Sequence, residues 1–263
     1  MYRIGLKLWS SNVDHYLREA RWLYADGVFD YIELFVVPDT EETLCSWLQV
    51  HNEDGIPFVI HNAHSMAGFN LSEATCEKRN HEIYSQTKLF ADELDARYII
   101  FHGGVDGSIE ETARQLKKFA DSRTLLENKP YVPIPSPKNS KMCRGATIDE
   151  IRYVLSEVKC GFCLDVGHAV CAASFQGVEP YTYIEELAAL KPMMFHLSDI
   201  NDMSSPFDAH PHLGTGSLDI LRLCRSVFPE DALISVETMK GSNDNLDDFV
   251  ADVRFMRNME VQK

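Results

Sequence analysis

Apolar positions along the chain follow two alternating patterns. Short apolar runs typical of buried parallel strands are separated by longer segments in which apolar residues recur every three or four positions. The eight strand candidates begin at residues 3, 31, 58, 98, 124, 161, 193 and 233 and read RIGLKLW, YIELFVV, FVIH, YIIFHGG, TLLEN, GFCLDV, MMFHLSD and LISVET. The clearest helical periods cover residues 12–27, 82–95, 108–122, 147–158 and 245–259.

Eight strands that alternate with helices predict an α/β protein, a (β/α)8 TIM barrel that forms a single domain over residues 1–263. The length of 263 residues is close to the roughly 250 that are typical of this barrel. The alternative is an open, doubly wound sheet. No G-x-G-x-x-G motif follows the first strand, so dinucleotide binding of the kind common in such sheets is not indicated.

Composition and charge limit the classes of partner that the chain is expected to bind. Hydrophobic residues make up 45% and charged residues 25%, as in an ordinary soluble domain. No apolar run reaches the roughly 18–20 residues that span a bilayer, so no membrane partner is expected, and MYRIGLKLWSSN is read as a first strand and not as a signal peptide. The formal net charge of −15 disfavours duplex DNA as the main ligand, because phosphate backbones are bound by Lys and Arg.

The seven cysteines are an odd number scattered through apolar patterns, which predicts a reducing compartment and a cytoplasmic location. CGFC, residues 160–163, has C-x-x-C spacing but lies inside a predicted strand, with no second pair to complete a zinc site. We therefore expect packed thiols there.

One segment interrupts the alternation of strands and helices. Residues 128–146 follow the fifth strand and contain four prolines, so we expect a Pro-rich loop over the barrel mouth. Its Lys138, Lys141 and Arg144 form a local basic cluster on an acidic chain, which can attract an anionic group. The segment is either an irregular excursion or a cover over the substrate.

Six consecutive predicted strands end in a histidine or a carboxylate. An isolated residue of this kind has an ordinary explanation, such as a helix N-cap for an aspartate. Six at the C-terminal mouth of one barrel, where functional side chains cluster, are costly to bury together unless cations neutralise them. Without soft sulfur ligands the set suits Zn²⁺, Mn²⁺ or another divalent first-row ion. The residues are His61, His102, Glu127, Asp165, His196 and Glu237, with His168 one turn after Asp165.

The stretch FDAHPHLGTG, residues 207–216, follows the seventh strand and would project over the same mouth. It places Asp208, His210 and His212 just before Gly214 and Gly216, which allow the backbone to turn sharply without a Cβ clash. We expect this stretch to complete a site that holds more than one metal ion.

Together these segments resemble the endonuclease IV branch of the xylose isomerase-like barrels, AP endonuclease family 2. The resemblance is carried by IHNAH…NL, FHGG, LLEN, LDVGH, FHLSD, DAHPHLGTG and VET, which keep their order over almost the whole chain. It implies three zinc ions, with Glu127 bridging the first and the second. The implied ligands are His61, His102 and Glu127 for the first ion, Glu127, Asp165, His196 and Glu237 for the second, and His168, Asp208 and His210 for the third.

Two further histidines lie close to these ligands in the sequence but outside the implied ligand set. His64 competes with His61 for the ligand position after the third strand, because the two are close and the loop length differs. His212 has no ligand role in the family pattern and is a candidate contact for substrate or solvent. The loop NAHSMAGF lacks the wedge residues of the DNA-repair members, and the loop WSSN after the first strand lacks a basic cluster. With the acidic charge, these departures argue against abasic-site DNA as the substrate.

A second branch of the superfamily isomerises or epimerises sugars with one metal ion, and it shares the quartet matched here by Glu127, Asp165, His196 and Glu237. In that branch the two glutamates also shuttle protons, and Glu33 in YIELF resembles it as well. Lys7, like Glu33, is a candidate substrate contact, although a strand-end lysine reaching to water is an equal alternative.

Two functions therefore remain open. The first is a metal-dependent phosphoester hydrolase that holds two or three zinc or other divalent ions and uses a metal-bound hydroxide on a small phosphorylated sugar or nucleotide-like substrate. The second is a metal-dependent sugar or sugar-phosphate isomerase or epimerase in which Glu127 and Glu237 are the acid–base pair. The metal ligands beyond the shared quartet favour the hydrolase.

Overall fold

The computed structural model describes residues 1–133 and 140–263, and in it eight parallel strands close into a barrel in chain order. Strand β1 pairs with both β2 and β8, which closes the sheet and rules out the open alternative. The predicted (β/α)8 TIM barrel is thus confirmed. The strands are β1 Arg3–Trp9, β2 Tyr31–Phe35, β3 Phe58–His61, β4 Ile99–His102, β5 Thr124–Glu127, β6 Gly161–Asp165, β7 Met194–Leu197 and β8 Leu233–Val236.

Helices connect the strands on the outside of the barrel. The five predicted helical segments correspond to α1, α3, α4, α5 and α9, and the structure adds α2, α6, α7 and α8. Eight of the 11 residues of α6 are buried, so its sequence shows no amphipathic period. The α-helices are α1 Leu17–Ala25, α2 Leu44–Asp54, α3 Glu77–Glu93, α4 Ile109–Phe119, α5 Ile148–Val158, α6 Val166–Gln176, α7 Pro180–Ala188, α8 Ile220–Ser226 and α9 Asp247–Gln262.

Two apolar clusters support the barrel. The larger one fills the space between strands and helices, and the smaller one forms a plug inside the barrel from Tyr31, Val59, Ile100, Leu125, Cys163, Met194 and Leu233. Successive strand residues point to opposite faces, so the residue two positions after a plug residue also points inward. The six strand-end histidines and carboxylates follow the inward positions 59, 100, 125, 163, 194 and 235 by two residues. Strand periodicity therefore directs all six to the barrel mouth.

The two cysteines of CGFC pack as thiols. All seven are unpaired, and Cys163 lies in the interior plug while Cys160 packs against the outer core. Burial raises the pKa of Cys163 to about 12, which keeps this thiol protonated. In the described part of the chain no helix has both the length and the apolar content needed to cross a bilayer.

Candidate metal centre

The first group of metal-ligand side chains lies at the ends of β3, β4 and β5. His61 Nε2 and His102 Nε2 lie 3.0 and 3.1 Å from the same oxygen of Glu127, Oε2. The other ring nitrogen of His61, Nδ1, donates to the main-chain carbonyl of Asn62 at 2.8 Å. This bond holds the proton on Nδ1 and leaves the Nε2 lone pair toward the group, as in metal-bound histidines.

A second group joins the start of α6 to the loop after β7. His168 Nδ1 donates to the carbonyl of Asn128 at 2.9 Å, so its Nε2 is left as the ligand atom and lies 3.2 Å from Asp208 Oδ2. His210 Nε2 approaches the same Asp208 oxygen at 2.7 Å. His168, Asp208 and His210 can thus present three donor atoms to one ion.

A third group lies between these two at the ends of β5, β6 and β7. Glu127, Asp165 and His196 offer donor atoms that could share an ion, and His196 Nδ1 also lies 3.0 Å from Glu237 Oε2. Asp165 Oδ1 accepts from the backbone N–H of His168 and caps α6, so the ordinary N-cap explanation also holds for this residue. Its other oxygen, Oδ2, faces His168 and His196 at 3.4 and 3.8 Å.

Glu33 holds the ring of His196 in the third group by a hydrogen bond. It is completely buried, and its Oε2 accepts from His196 Nε2 at 2.9 Å, which turns His196 Nδ1 toward Asp165 and Glu237. Although Glu33, His61 and His196 could also share an ion, this bond commits the His196 Nε2 proton to Glu33. Glu33 does not line the mouth cavity, so the structure places it behind a ligand and away from substrate.

Several buried ligand atoms of these groups meet only in ion-pair contacts: Glu127 Oε1 lies 2.9 Å from His168 Nδ1, and Glu237 Oε2 lies 3.0 Å from His196 Nδ1 and 2.6 Å from Lys7 Nζ. Among the described residues, the buried His210 Nδ1 has no hydrogen-bond partner at all, as expected of an atom that can take a cation. Buried polar atoms without partners are rare in folded proteins because each costs free energy. Imidazole nitrogens together with carboxylate oxygens are ligands that Zn²⁺ accepts, so the residues fit a divalent metal.

Burial and neighbouring charges act in opposite directions on these groups. Burial alone would lower the pKa of His168, but the charge of Asp165 and the hydrogen bonds to Asp208 and Glu127 raise it to about 10. Burial lowers the pKa of His102 well below its usual value, so this imidazole is neutral and available as a ligand. A metal ion must therefore displace a proton from His168 and none from His102.

The competing histidine, His64, lies beside the first group. Its ring stacks parallel to that of His102, with 5.5 Å between the centroids, and it also contacts Phe35. Within residues 1–133 and 140–263, no group of metal-ligand side chains includes His64, whereas two include His61. Burial lowers the pKa of His64 to about 3, so a neutral imidazole lines the cavity.

The loop that carries Asp208 and His210 is anchored by Asp199, a residue that the sequence patterns did not single out. Asp199 is fully buried and accepts from the backbone N–H groups of Gly214, Gly216 and Leu218 at 2.8, 3.0 and 3.0 Å. A Cβ at Gly216 would lie 2.5 Å from Asp199 Oδ1, so the chain requires glycine there. The only available sequence signal is its position in FHLSD, three residues after His196, where the predicted strand ends.

Two lysines also reach the metal-ligand groups. Lys7 Nζ lies 2.6 Å from Glu237 and 3.2 Å from Glu33, so it bridges the third group and its support. Lys129, which the sequence patterns did not indicate, places Nζ 3.0 Å from His168 Nε2 and 3.8 Å from Glu127. Its position directly after LLEN was the available signal, since that segment leads from β5 into the mouth.

These residues surround a cavity of about 690 Å³ at the C-terminal end of the barrel. Trp9 and Phe35 form part of its wall, with ring centroids 5.9 Å apart. His212 does not line the cavity, and its Nδ1 lies 2.9 Å from the buried Asp252.

The Pro-rich segment contributes to the same cavity. Lys129, Pro130, Pro133 and Cys143 line it. Two residues of the basic cluster do not line the cavity, since Arg144 pairs with Glu150 at 2.9 Å and Lys141 is exposed. Lys138 lies outside the described residues.

A family comparison gives this arrangement its context. The model of the xylose isomerase-like TIM barrels matches residues 21–259. The chain belongs to the xylose isomerase-like TIM barrel family. Two curated relatives of this barrel are named probable endonuclease 4. The Mycobacterium ulcerans protein is 29% identical over 73% of this chain and 77% of its own length, and the Thermoplasma volcanium protein is 23% identical over 69% of this chain. The latter match spans 66% of the Thermoplasma protein, just under two thirds of its length.

Solved structures show the same barrel with lower sequence identity. A D-tagatose 3-epimerase-like protein has a TM-score of 0.70 and 18% identity, with 98% of this chain and 96% of that chain covered. A Thermus thermophilus protein soaked with ZnCl2 has a TM-score of 0.69 and 18% identity, with 99% and 98% covered. At this identity these two structures establish the shared fold alone.

Proposed function

We propose that this chain is a divalent-metal-dependent phosphoester hydrolase of the endonuclease IV type. One observation carries the proposal: the ligand set extends beyond a single-metal quartet into the separate group of His168, Asp208 and His210. Glu127 belongs to two of the groups, so it is suited to bridge neighbouring ions. The curated relatives named probable endonuclease 4 support the same chemistry.

The ligand residues have distinct tasks in this proposal. His61, His102 and Glu127 would hold one ion, Asp165, His196 and Glu237 would join Glu127 at a second, and His168, Asp208 and His210 would hold a third. Zn²⁺ is the ion we propose, with Mn²⁺ as another divalent metal of suitable ligand preference. When bound, two or three such ions supply positive charge for the phosphoryl oxygens and a water of lowered pKa.

The remaining cavity residues would position the substrate. Lys7 and His64 line the cavity and are proposed as substrate contacts. Glu33 and His212 are proposed as supports, because they pair with His196 and Asp252. The net charge of −15 and the cavity volume of about 690 Å³ favour a small phosphorylated sugar or nucleotide-like molecule over duplex DNA.

A sugar or sugar-phosphate isomerase or epimerase is the second candidate. It is favoured by the quartet of Glu127, Asp165, His196 and Glu237, in which His196 Nδ1 and Glu237 Oε2 are 3.0 Å apart. Glu127 and Glu237 would be the acid–base pair across a single ion. In the structure Lys7 lies 2.6 Å from Glu237 and would hold it ionised, which suits the role of a base.

Metal content and substrate assays separate the two candidates. Elemental analysis of the purified chain should find two or three zinc ions, and His210→Ala should remove about one of them. His81→Ala is the matched control, because His81 is exposed on α3 and does not line the cavity. The zinc-loaded chain should cleave simple phosphodiesters and sugar phosphates, with abasic-site DNA as a comparison. One ion per chain, together with turnover of ketoses and no hydrolysis, would instead establish the isomerase.

A further inference from the structure

The wall of the cavity on the β1 and β8 side differs in chemistry from the metal-ligand side. Asn12, Lys240 and Asn243 line it, and these residues come from the loops that follow β1 and β8. The two loops are joined, because Tyr16 Oη donates to the carbonyl of Ser242 at 2.6 Å and to Asn243 Oδ1 at 3.4 Å. The paired strands β1 and β8 hold the loops side by side.

Both asparagines on this wall have their acceptor atoms occupied. Asn12 Oδ1 accepts from the backbone N–H of Trp9 at 2.7 Å, and Asn243 Oδ1 accepts from Tyr16. Neither side-chain NH2 group donates to any atom of the described residues. Since an amide has one acceptor and two donors, each side chain has donors available to a ligand in the cavity that it lines.

Lys240 adds a positive charge that has no close partner. Its Nζ makes one long hydrogen bond, to the carbonyl of Thr238 at 3.5 Å, and no carboxylate of the described residues lies within 4.0 Å of it. Two other lysines of the described residues line the cavity, and both have close partners. Lys7 pairs with Glu237, and Lys129 contacts His168 and Glu127. The side chain is also half-buried, where an unpaired charge is costly.

We propose that Lys240, Asn12 and Asn243 form a binding site for an anionic group of the substrate, a phosphate or a carboxylate, that is separate from the group reacting at the metal ligands. A wall of donors with one unpaired ammonium matches the acceptor oxygens of such an anion. The inference rests on the proposed function for the reacting end of the substrate. The inference adds that the substrate carries a second anionic group. This group would reach from the metal-ligand side chains to the loops that follow β1 and β8.

Anion binding to the full-length chain, stripped of metal by a chelator, tests this site apart from catalysis. Titration with inorganic phosphate, followed by calorimetry, should show one saturable site. Lys240→Met and Asn243→Asp should each weaken phosphate binding about tenfold or more, and Lys240→Arg should retain most of it. Lys78→Met is the matched control, because Lys78 is exposed on α3 and outside the cavity. A parallel titration with acetate distinguishes the two anions, since the tighter probe identifies the substrate group.

The outcomes separate this inference from the proposed function. Phosphate or acetate binding that depends on Lys240 supports the anion site even if the zinc-loaded chain hydrolyses nothing. Absence of binding of both probes, or equal binding by Lys240→Met and the unmodified chain, overturns it even if hydrolysis is found. Thermal unfolding of each variant shows whether it remains folded, and Asn243→Asp provides a second independent change if Lys240→Met does not fold.

Discussion

His196 Nε2 donates to Glu33 Oε2 at 2.9 Å, and this bond turns His196 Nδ1 to within 3.0 Å of Glu237. A carboxylate behind a histidine in this way fixes the ring orientation and raises the basicity of the nitrogen that faces the metal. The relationship joins β2 to β7 across the barrel. It places the buried Glu33 behind His196, a ligand residue of the candidate metal centre.

Replacement of Glu33 should weaken metal binding without removing a ligand. Glu33→Gln is expected to lower zinc affinity by about 10- to 100-fold, because the amide no longer carries the charge that polarises His196. Competition with a chromophoric chelator measures this change. Glu42→Gln, a substitution of an exposed glutamate, is the control. Unchanged affinity would mean that Glu33 does not tune the metal centre.

Removal of Lys129 should strengthen metal binding at the group formed by His168, Asp208 and His210. Its ammonium lies 3.0 Å from His168 Nε2, the atom that would bind the ion, so two cations compete for one position. Lys129→Met is therefore expected to raise zinc affinity at this group roughly tenfold. Lys141→Met, from the same segment but exposed, should have no effect. A loss of zinc from Lys129→Met would contradict this interpretation.

Loss of the Asp199 carboxylate should destabilise the chain and disorganise the loop that carries Asp208 and His210. Asp199→Ala removes the buried carboxylate that accepts from the N–H groups of Gly214, Gly216 and Leu218, at a cost of about 2–4 kcal/mol. Urea unfolding measures the change in the free energy of unfolding. Asp202→Asn, an exposed substitution near the same loop, should stay within about 0.5 kcal/mol of the unmodified chain.

The buried position of Lys240 predicts a pH-dependent effect on stability. Burial lowers the pKa of Lys240 to about 8. The nearby positive charge of Lys7 lowers this pKa further, whereas the carboxylates of Glu237, Asp252 and Asp248 raise it. Between about pH 8 and pH 10.5 Lys240 therefore carries a proton more often in the unfolded chain than in the folded chain, so stability rises with pH over this range. The residue destabilises the fold most below pH 8.

Lys240→Met should therefore raise the free energy of unfolding at pH 7, by up to about 3 kcal/mol. The gain should shrink as the pH rises toward 10. Denaturant unfolding of the variant and the unmodified chain at several pH values gives this difference directly. A gain that stays constant with pH would show that the charge of Lys240 is not responsible.

The convergence of the strand-end side chains at the barrel mouth was predictable because it depends on local periodicity. Successive strand residues point to opposite faces, so Glu127, two positions after the inward-facing Leu125, is also expected to point inward. Closure of the barrel then brings the ends of the strands close together. The family pattern likewise placed Asp208 and His210 over the mouth. The helix α6 was not predicted because burial on all sides removes the amphipathic signal.

The sequence by itself determined the order of eight strands, the barrel and the set of side chains that face its mouth. Only the tertiary structure decided which of these side chains meet: His61 rather than His64 beside Glu127, Glu33 behind His196, and His212 turned to Asp252. The physical reason is that strand direction is a local property of the backbone. Pairing of side chains, by contrast, depends on distances between residues that are tens to hundreds of positions apart in the chain.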